Sequence, residues 1–379
     1  MYAVTAFFIR VLYTMMHAIF RRKQQIVFLS RQSNKASLDF KLLKDCLKKR
    51  LPDWTIVESY HYRQTFSSIM RDVFIVATSR VCILDGYHPA VSIPKIDQEL
   101  LVVQLWHALG AIKRFGWQTV GHKAGRPEKM AKSLSMHANY SVIIAAGEGC
   151  IPSYTEAFRC PKEKVVTAGI PRMDYLLSLD RSAQNLFEHE TADAENLLMT
   201  SGKTNVLYVP TFRDRQNDAE WIKAQTLQLA SCLSTRRCNL LIKKHPFSSD
   251  STISDSQSHL IHLPKYQSIE LLKFADYVVT DYSAIAFEAA LIGKKVLFFV
   301  SDIDEYRAAP GLNIDVEKLF PHICFRSAED LALFIARDQT EDLYGSAGFW
   351  EFCEHYLISD PEGSTERIAQ LIMERILAQ

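Results

Sequence analysis

Missing from this chain of 379 residues are the paired cysteine and histidine spacings of zinc sites. Its eight cysteines are scattered without a C-x-x-C, so a structural metal is not expected and the thiols read as reduced, as in the cytosol. No G-x-x-x-x-G-K-[ST] loop, G-x-S-x-G elbow or H-E-x-x-H helix occurs, which removes P-loop, serine-hydrolase-elbow and zincin chemistry. The stretch Gly121 to Gly125 lacks a dinucleotide fingerprint. Neither sign of charge dominates: 44 Lys plus Arg face 43 Asp plus Glu. No global field therefore favours nucleic acid, which is not expected as a partner. Repeats and low-complexity tracts are absent as well. What is present is apolar surface: 48% hydrophobic residues against 23% charged, enough for full cores. The length is about two and a half times that of a typical domain, which implies two lobes.

Residues 1–24 read as an amphipathic helix. At helical spacing Phe8, Leu12, Met15 and Ile19 make an apolar stripe, with Ala3, Arg10, Thr14, His17 and Arg21 opposite. Arg10 sits mid-segment, where a cation costs a spanning helix about 2.5–3.5 kcal/mol, and no small-residue cleavage site follows. The expectation is a helix lying on the membrane surface, with the basic run Arg21–Lys23 favouring anionic headgroups. Packing on the protein's own core is the competing reading.

From residue 26 onward, short β-branched runs alternate with helical stretches, the signature of parallel sheets wound with helices. The runs Ile26–Ser30, Trp54–Glu58, Val73–Thr78, Val81–Leu84, Leu101–Leu105, Ser141–Ala145 and Lys164–Thr167 predict a first lobe over 25–180. Polar residues 181–204 predict an interlobe connection. A second lobe over 205–328 is built on Asn205–Val209, Asn239–Lys243, Leu260–Leu263, Tyr277–Thr280 and Lys295–Val300. The tail 329–379 reads as helices packing across the lobes. The fold class is α/β.

In open α/β sheets ligands sit beyond the carboxyl ends of strands, so residues directly after each apolar run carry weight. Leu101–Leu105 delivers Trp106, His107 and a small basic turn containing Lys113. Asn205–Val209 delivers Thr211 and Arg213. Asn239–Ile242 delivers Lys243, Lys244 and His245, and Tyr277–Thr280 delivers Asp281 and Ser283 before a helix over 284–292. Two histidines, lysines and an arginine at strand ends suit an anionic ligand. Ser283 can cap its helix, whose N-terminus can hold phosphate. A neutral His107 can act as a general base on a hydroxyl, and His245 can donate to phosphate oxygens. Taken singly, each feature is also compatible with an ordinary cap, a hydrogen-bonded structural histidine or a solvated turn.

The strings LWHALGAIKRFG, AGIPRMD, LYVPTFRD, KKHPF and ADYVVTDYSAIAFEAALIGKKVLFF follow one another in order over roughly residues 100 to 320. Together they resemble the CDP-glycerol glycerophosphotransferase family, the TagB/TagF-like polyol-phosphate transferases of teichoic acid synthesis. The resemblance implies two Rossmann-like lobes in a glycosyltransferase-B architecture, with the acceptor in the first and the CDP-activated donor in the second. It implies transfer of polyol phosphate, glycerol phosphate foremost, from CDP-glycerol or CDP-ribitol to a lipid-linked acceptor of the undecaprenyl-diphosphate type. The setting would be the cytoplasmic membrane face, and no bound metal or other cofactor is implied. In that mapping His107 is the base and His245 the catalytic partner that binds the diphosphate. Arg213, Lys243, Asp281, Ser283 and Glu288 hold the donor, while Trp106 and Lys113 meet the acceptor. Two departures from the commoner family pattern stand out: Ala108-Leu109-Gly110 replaces G-T-P after the histidine, and Ala284 replaces the second serine. A nucleotide-sugar glycosyltransferase of the same fold, or an inactive membrane-associated scaffold, are the alternatives.

Overall fold

Burial on both faces explains why the strands read as near-continuous apolar runs rather than alternating ones. In the computed structural model, which describes residues 2–122, 125–179, 198, 202–211, 218–242, 260–263 and 266–379, these runs form two parallel six-stranded sheets. The chain divides into two units, Met1–Tyr175 with Ala308–Gly311 and Glu354–Gln379, and Leu176–Arg307 with Leu312–Cys353.

The first unit contains β1 (Lys23–Ser30), β2 (Thr55–Tyr60), β3 (Ser79–Leu84), β4 (Leu101–Gln104), β5 (Val142–Ala145) and β6 (Val165–Thr167), in the order β2-β1-β3-β4-β5-β6. The order reverses between β1 and β3, so their carboxyl ends flank the switch point where ligands bind. Cores lie on both faces of the sheet, one around Val27, Leu29, Cys82 and Leu84, the other around Ile26, Phe28, Val81 and Ile83. The second face is closed by the helix Ser364–Leu377, whose Ile368 and Ile372 are fully buried. That helix begins at Gly363, which offers no side-chain cap. Asp174 supplies one instead, accepting from the amides of Ser364 (3.0 Å) and Thr365 (2.8 Å).

One expected strand is a helix. Val73–Thr78 belongs to α3 (Phe66–Thr78), following α1 (Tyr2–Ile19) and α2 (Leu38–Arg50). A capping box starts α3: Thr65 Oγ1 accepts from the Ser68 amide, and Ser68 Oγ accepts from the Thr65 amide. The β-branched run misled because α3 is apolar on two sides. Val73, Val76 and Ala77 enter the core while α1 packs against α3. In α1 the inward residues are Ala6, Ile9 and Tyr13, with Leu12 packed beside them, so Leu12 does not belong to an outward stripe. The polar flank is spent on the same unit: Arg10 Nε donates to the Ile93 carbonyl (3.1 Å), and His17 meets Asp97 (3.0 Å). Phe7, Phe8, Met15 and Ile19 nevertheless remain more than half exposed. Among the described residues α1 is the one helix long and apolar enough to cross a membrane by length and composition.

The second unit contains β7 (Thr204–Val209), β8 (Cys238–Ile242), β9 (Leu260–His262), β10 (Tyr277–Thr280), β11 (Lys295–Phe299) and β12 (Cys324–Phe325), ordered β12-β11-β10-β7-β8-β9. Its switch point lies between β7 and β10. Strand β12, two residues long, had no signature in the sequence. The connection expected at 181–204 lies largely outside the described residues.

Candidate functional site

Residues at and just beyond the carboxyl ends of β4 and β3 build the polar centre of the first unit. Trp106 takes a left-handed backbone, φ 59°, a conformation that costs an ordinary L-residue about 1–2 kcal/mol. The buried Gln104 side chain holds it there, accepting from the Trp106 amide (3.0 Å) and donating to the Gly86 carbonyl (3.1 Å). The indole is packed on Phe115 (centroids 4.7 Å apart) and against Phe158 (5.2 Å). This turn throws the next side chain, His107, back over the end of β3. Its ring lies 4.1 Å from the Trp106 ring, and its Nδ1 is 2.7 Å from the Asp85 carbonyl oxygen.

A carbonyl only accepts, so Nδ1 carries the proton and Nε2 keeps its lone pair. Nε2 has no hydrogen-bond partner among the described residues and is not sealed from solvent. Burial pushes the His107 pKa down to about 4; the Arg172 and Lys113 charges add to that, and the Asp85 carbonyl opposes it. The ring is therefore neutral at pH 7, which is what a general base requires.

Asp85 was not singled out by the sequence reading, although it follows the run Val81–Leu84 directly. Its carboxyl is 2% exposed. Ser30 Oγ, at the end of β1, donates to Oδ2 across the switch point (2.7 Å), while Oδ1 is buried with no partner. Burial raises this carboxyl's pKa to about 7. Nearby, Arg172 of the string AGIPRMD clasps Asp39, itself 1% exposed, through its amide (2.8 Å) and its guanidinium. The turn after His107 is pinned by Tyr154 Oη on the Ala108 carbonyl (3.1 Å) and Cys150 Sγ on that of Leu109 (3.2 Å). Lys113, further along, is exposed.

In the second unit Asp281 spans the other switch point. Its carboxylate accepts from the Thr211 amide (2.8 Å), the Thr211 hydroxyl and the Tyr282 amide (2.6 Å), so it ties the end of β10 to the end of β7. The following helix is Ile285–Leu291, shorter than expected, and its cap position is Ala284 in a helical conformation. Ser283 only approaches the Ile285 amide at 3.4 Å, because the turn winds on through Ala284 before the helix begins. Glu288 is buried within it. Arg213, Lys243 and His245 lie outside the described residues. No group of three or more His, Cys, Asp or Glu among the described residues is arranged to hold a metal ion.

Comparison with known proteins adds a family to this geometry. The sequence profile described as CDP-Glycerol:Poly(glycerophosphate) glycerophosphotransferase matches residues 11–374. A teichoic acid ribitol-phosphate primase of Bacillus spizizenii is 27% identical over 304 residues, covering 79% of this chain and 76% of the primase. A teichoic acid poly(ribitol-phosphate) polymerase of the same organism is 28% identical over 362 residues, 93% of this chain but 56% of the polymerase. A solved variant of the wall teichoic acid polymerase TagF shares the fold, with TM-score 0.74 and 18% identity over 98% of this chain and 93% of that one.

The raised Asp85 pKa has a measurable sign. Between about pH 4 and pH 7 the folded chain holds a proton there that the unfolded chain releases, so this group's contribution to stability falls as pH rises through that window. Asp85→Asn escapes the loss. Its stability relative to wild type is expected to improve by on the order of 4 kcal/mol from pH 4 to pH 8 in denaturant titrations. A difference that does not change with pH contradicts the assignment.

Proposed function

The chain belongs to the CDP-glycerol:poly(glycerophosphate) glycerophosphotransferase family, and from that membership we propose that it transfers a polyol phosphate from a CDP-polyol to a hydroxyl of a lipid-linked acceptor in teichoic acid synthesis. Relatives are named for ribitol phosphate and for glycerol phosphate. The observation that carries the reading is the neutral His107 imidazole, with Nδ1–H fixed on the Asp85 carbonyl and Nε2 open.

In this mechanism Nε2 takes the proton of the acceptor hydroxyl. The freed oxygen bonds to the polyol-bearing phosphorus, the anhydride bond breaks, and CMP leaves with the electron pair. Such a transfer needs alignment and charge stabilisation more than covalent help. Trp106 and Lys113, flanking the base, are assigned to the acceptor. Arg213, Lys243 and His245 are assigned to the diphosphate on the strength of the family strings, Ser283 and Glu288 to the donor on the same ground, and Asp281 braces the strand ends. Charge is carried by side chains, without a resident metal.

The setting proposed is the cytoplasmic membrane face. Phe7, Phe8 and Ile19 of α1 are 62%, 55% and 66% exposed, and Phe20 packs edge-on against Phe74 of α3, 5.3 Å away. Arg21 and Lys23 are exposed at the helix end, whereas Arg22 is used internally on Asp97 and Tyr13. An apolar face bordered by cations suits an anionic bilayer surface. The inward bonds of Arg10 and His17 keep the helix along the body, as a peripheral anchor requires.

Incubated with CDP-glycerol, CDP-ribitol and UDP-sugars plus an undecaprenyl-diphosphate disaccharide analogue, the protein is expected to release CMP from a CDP-polyol, with EDTA present. His107→Ala is expected to lower kcat at least about 100-fold with donor KM little changed. UDP release, or wild-type turnover in the variant, overturns the assignment. In flotation assays the protein is expected to bind vesicles containing phosphatidylglycerol, and Phe7→Ser with Phe8→Ser to abolish that binding. Undiminished flotation of the double variant contradicts the α1 anchor.

A further inference from the structure

Several part-buried arginines in this protein are paired with carboxylates: Arg22 with Asp97, Arg172 with Asp39, Arg307 with Asp315 and Glu317. Arg31 and Arg126 of the first unit are not paired in this way and meet at one ring. Arg31 directly follows Ser30 at the end of β1, and its guanidinium carbon lies 5.9 Å from the centre of the Tyr87 ring. The guanidinium carbon of Arg126 lies 4.9 Å from the same ring. Neither has a carboxylate partner among the described residues, and Arg31 Nε is buried with no acceptor at all. Burial lowers the Arg31 pKa, and the Arg126 charge lowers it further. Two like charges held together without a counterion are costly unless a ligand supplies the anion.

The neighbouring polar side chains are engaged elsewhere. His88 is occupied by Asp72 and Gln64, His137 by the Tyr140 hydroxyl, and His61 by Arg71. Asp72, the carboxylate in this group, is already taken up by His88 and Ser59. Tyr87 is a fixed platform, its hydroxyl donating to the Leu134 carbonyl (3.0 Å). It stands two residues after Asp85, whose carbonyl orients His107. A run of ring contacts joins the places: Tyr87 to His137 at 5.9 Å, His137 to Trp106 at 6.3 Å, and Trp106 to His107 at 4.1 Å.

We propose that Arg31 and Arg126, both against Tyr87, form a seat for a phosphate or diphosphate group beside His107. Guanidinium forks grip phosphate oxygens in pairs, giving orientation as well as attraction. Resting on the transferase reading, the occupant is the diphosphate of the acceptor: anchored there, it presents its hydroxyl to Nε2 by geometry rather than by collision.

The test is calorimetric binding of decyl diphosphate to the full chain, with CDP at saturation so that the donor site is filled. Wild type is expected to bind, and Arg31→Gln with Arg126→Gln to lose at least about tenfold in affinity while CDP affinity is unchanged. Absence of binding by wild type, equal affinity in the double variant, or displacement by CDP overturns the seat as an acceptor site. Should the Gln pair not fold, Arg31→Lys with Arg126→Lys keeps the charge and loses the fork. A severalfold loss is then expected, and unchanged affinity overturns the proposal. The binding assay needs no turnover. A chain that binds decyl diphosphate through these arginines but releases no CMP refutes the transferase reading and leaves the phosphate seat standing. Normal CMP release with an unaltered acceptor KM in the variant refutes the seat alone.

Discussion

One hydrogen bond organises the first unit's chemistry: the His107 ring donating to the Asp85 carbonyl over 2.7 Å. It selects the tautomer, and it requires β3 and β4 to end side by side with Trp106 bent into a left-handed turn. That turn is unfavourable alone and is held by a fully buried glutamine and an aromatic wall. Such strain persists only where the surroundings over-determine it. The packing of Trp106, Phe115 and Phe158 thus serves the orientation of one imidazole.

Each unit meets the same topological problem in its own way. Where strand order reverses, two neighbouring strand ends diverge and their last polar groups face a gap. A carboxylate bridges it in both units, from Asp85 to Ser30 in the first and from Asp281 to Thr211 in the second. Asp281 accepts three hydrogen bonds and acts as a brace. Asp85 accepts one from a side chain, and burial raises its pKa to about 7. A group left in that state is expensive, and such expense gathers at working sites.

Much of this was legible in the sequence because parallel strands buried on both faces announce themselves as β-branched runs, and the residues just after them lie at the ligand edge by topology. Trp106 and His107 stand just beyond β4, and Asp281 just beyond β10, as that rule expects. The run Val73–Thr78 departs from the same rule, since a helix covered on two sides is as apolar as a strand and its start is marked only by the Thr65 capping box upstream. The outward stripe of α1 was misassigned at Leu12 for a related reason: the helix is apolar nearly all round, so periodicity could not say which side the core takes. Asp85 stood in plain view after Leu84 but carries no motif. Arg31 and Arg126 are 95 positions apart in the chain, and only the fold shows that they share a tyrosine and have no carboxylate partner among the described residues.

The central claim concerns the state of a single ring, and nitrogen-15 NMR of histidine-labelled protein reads it most directly, with His107→Gln identifying the signal. The account predicts a neutral, Nδ1-protonated imidazole that stays neutral down to about pH 4. A ring protonated on Nε2 when neutral, or one titrating near the ordinary histidine value of about 6.5, would contradict it.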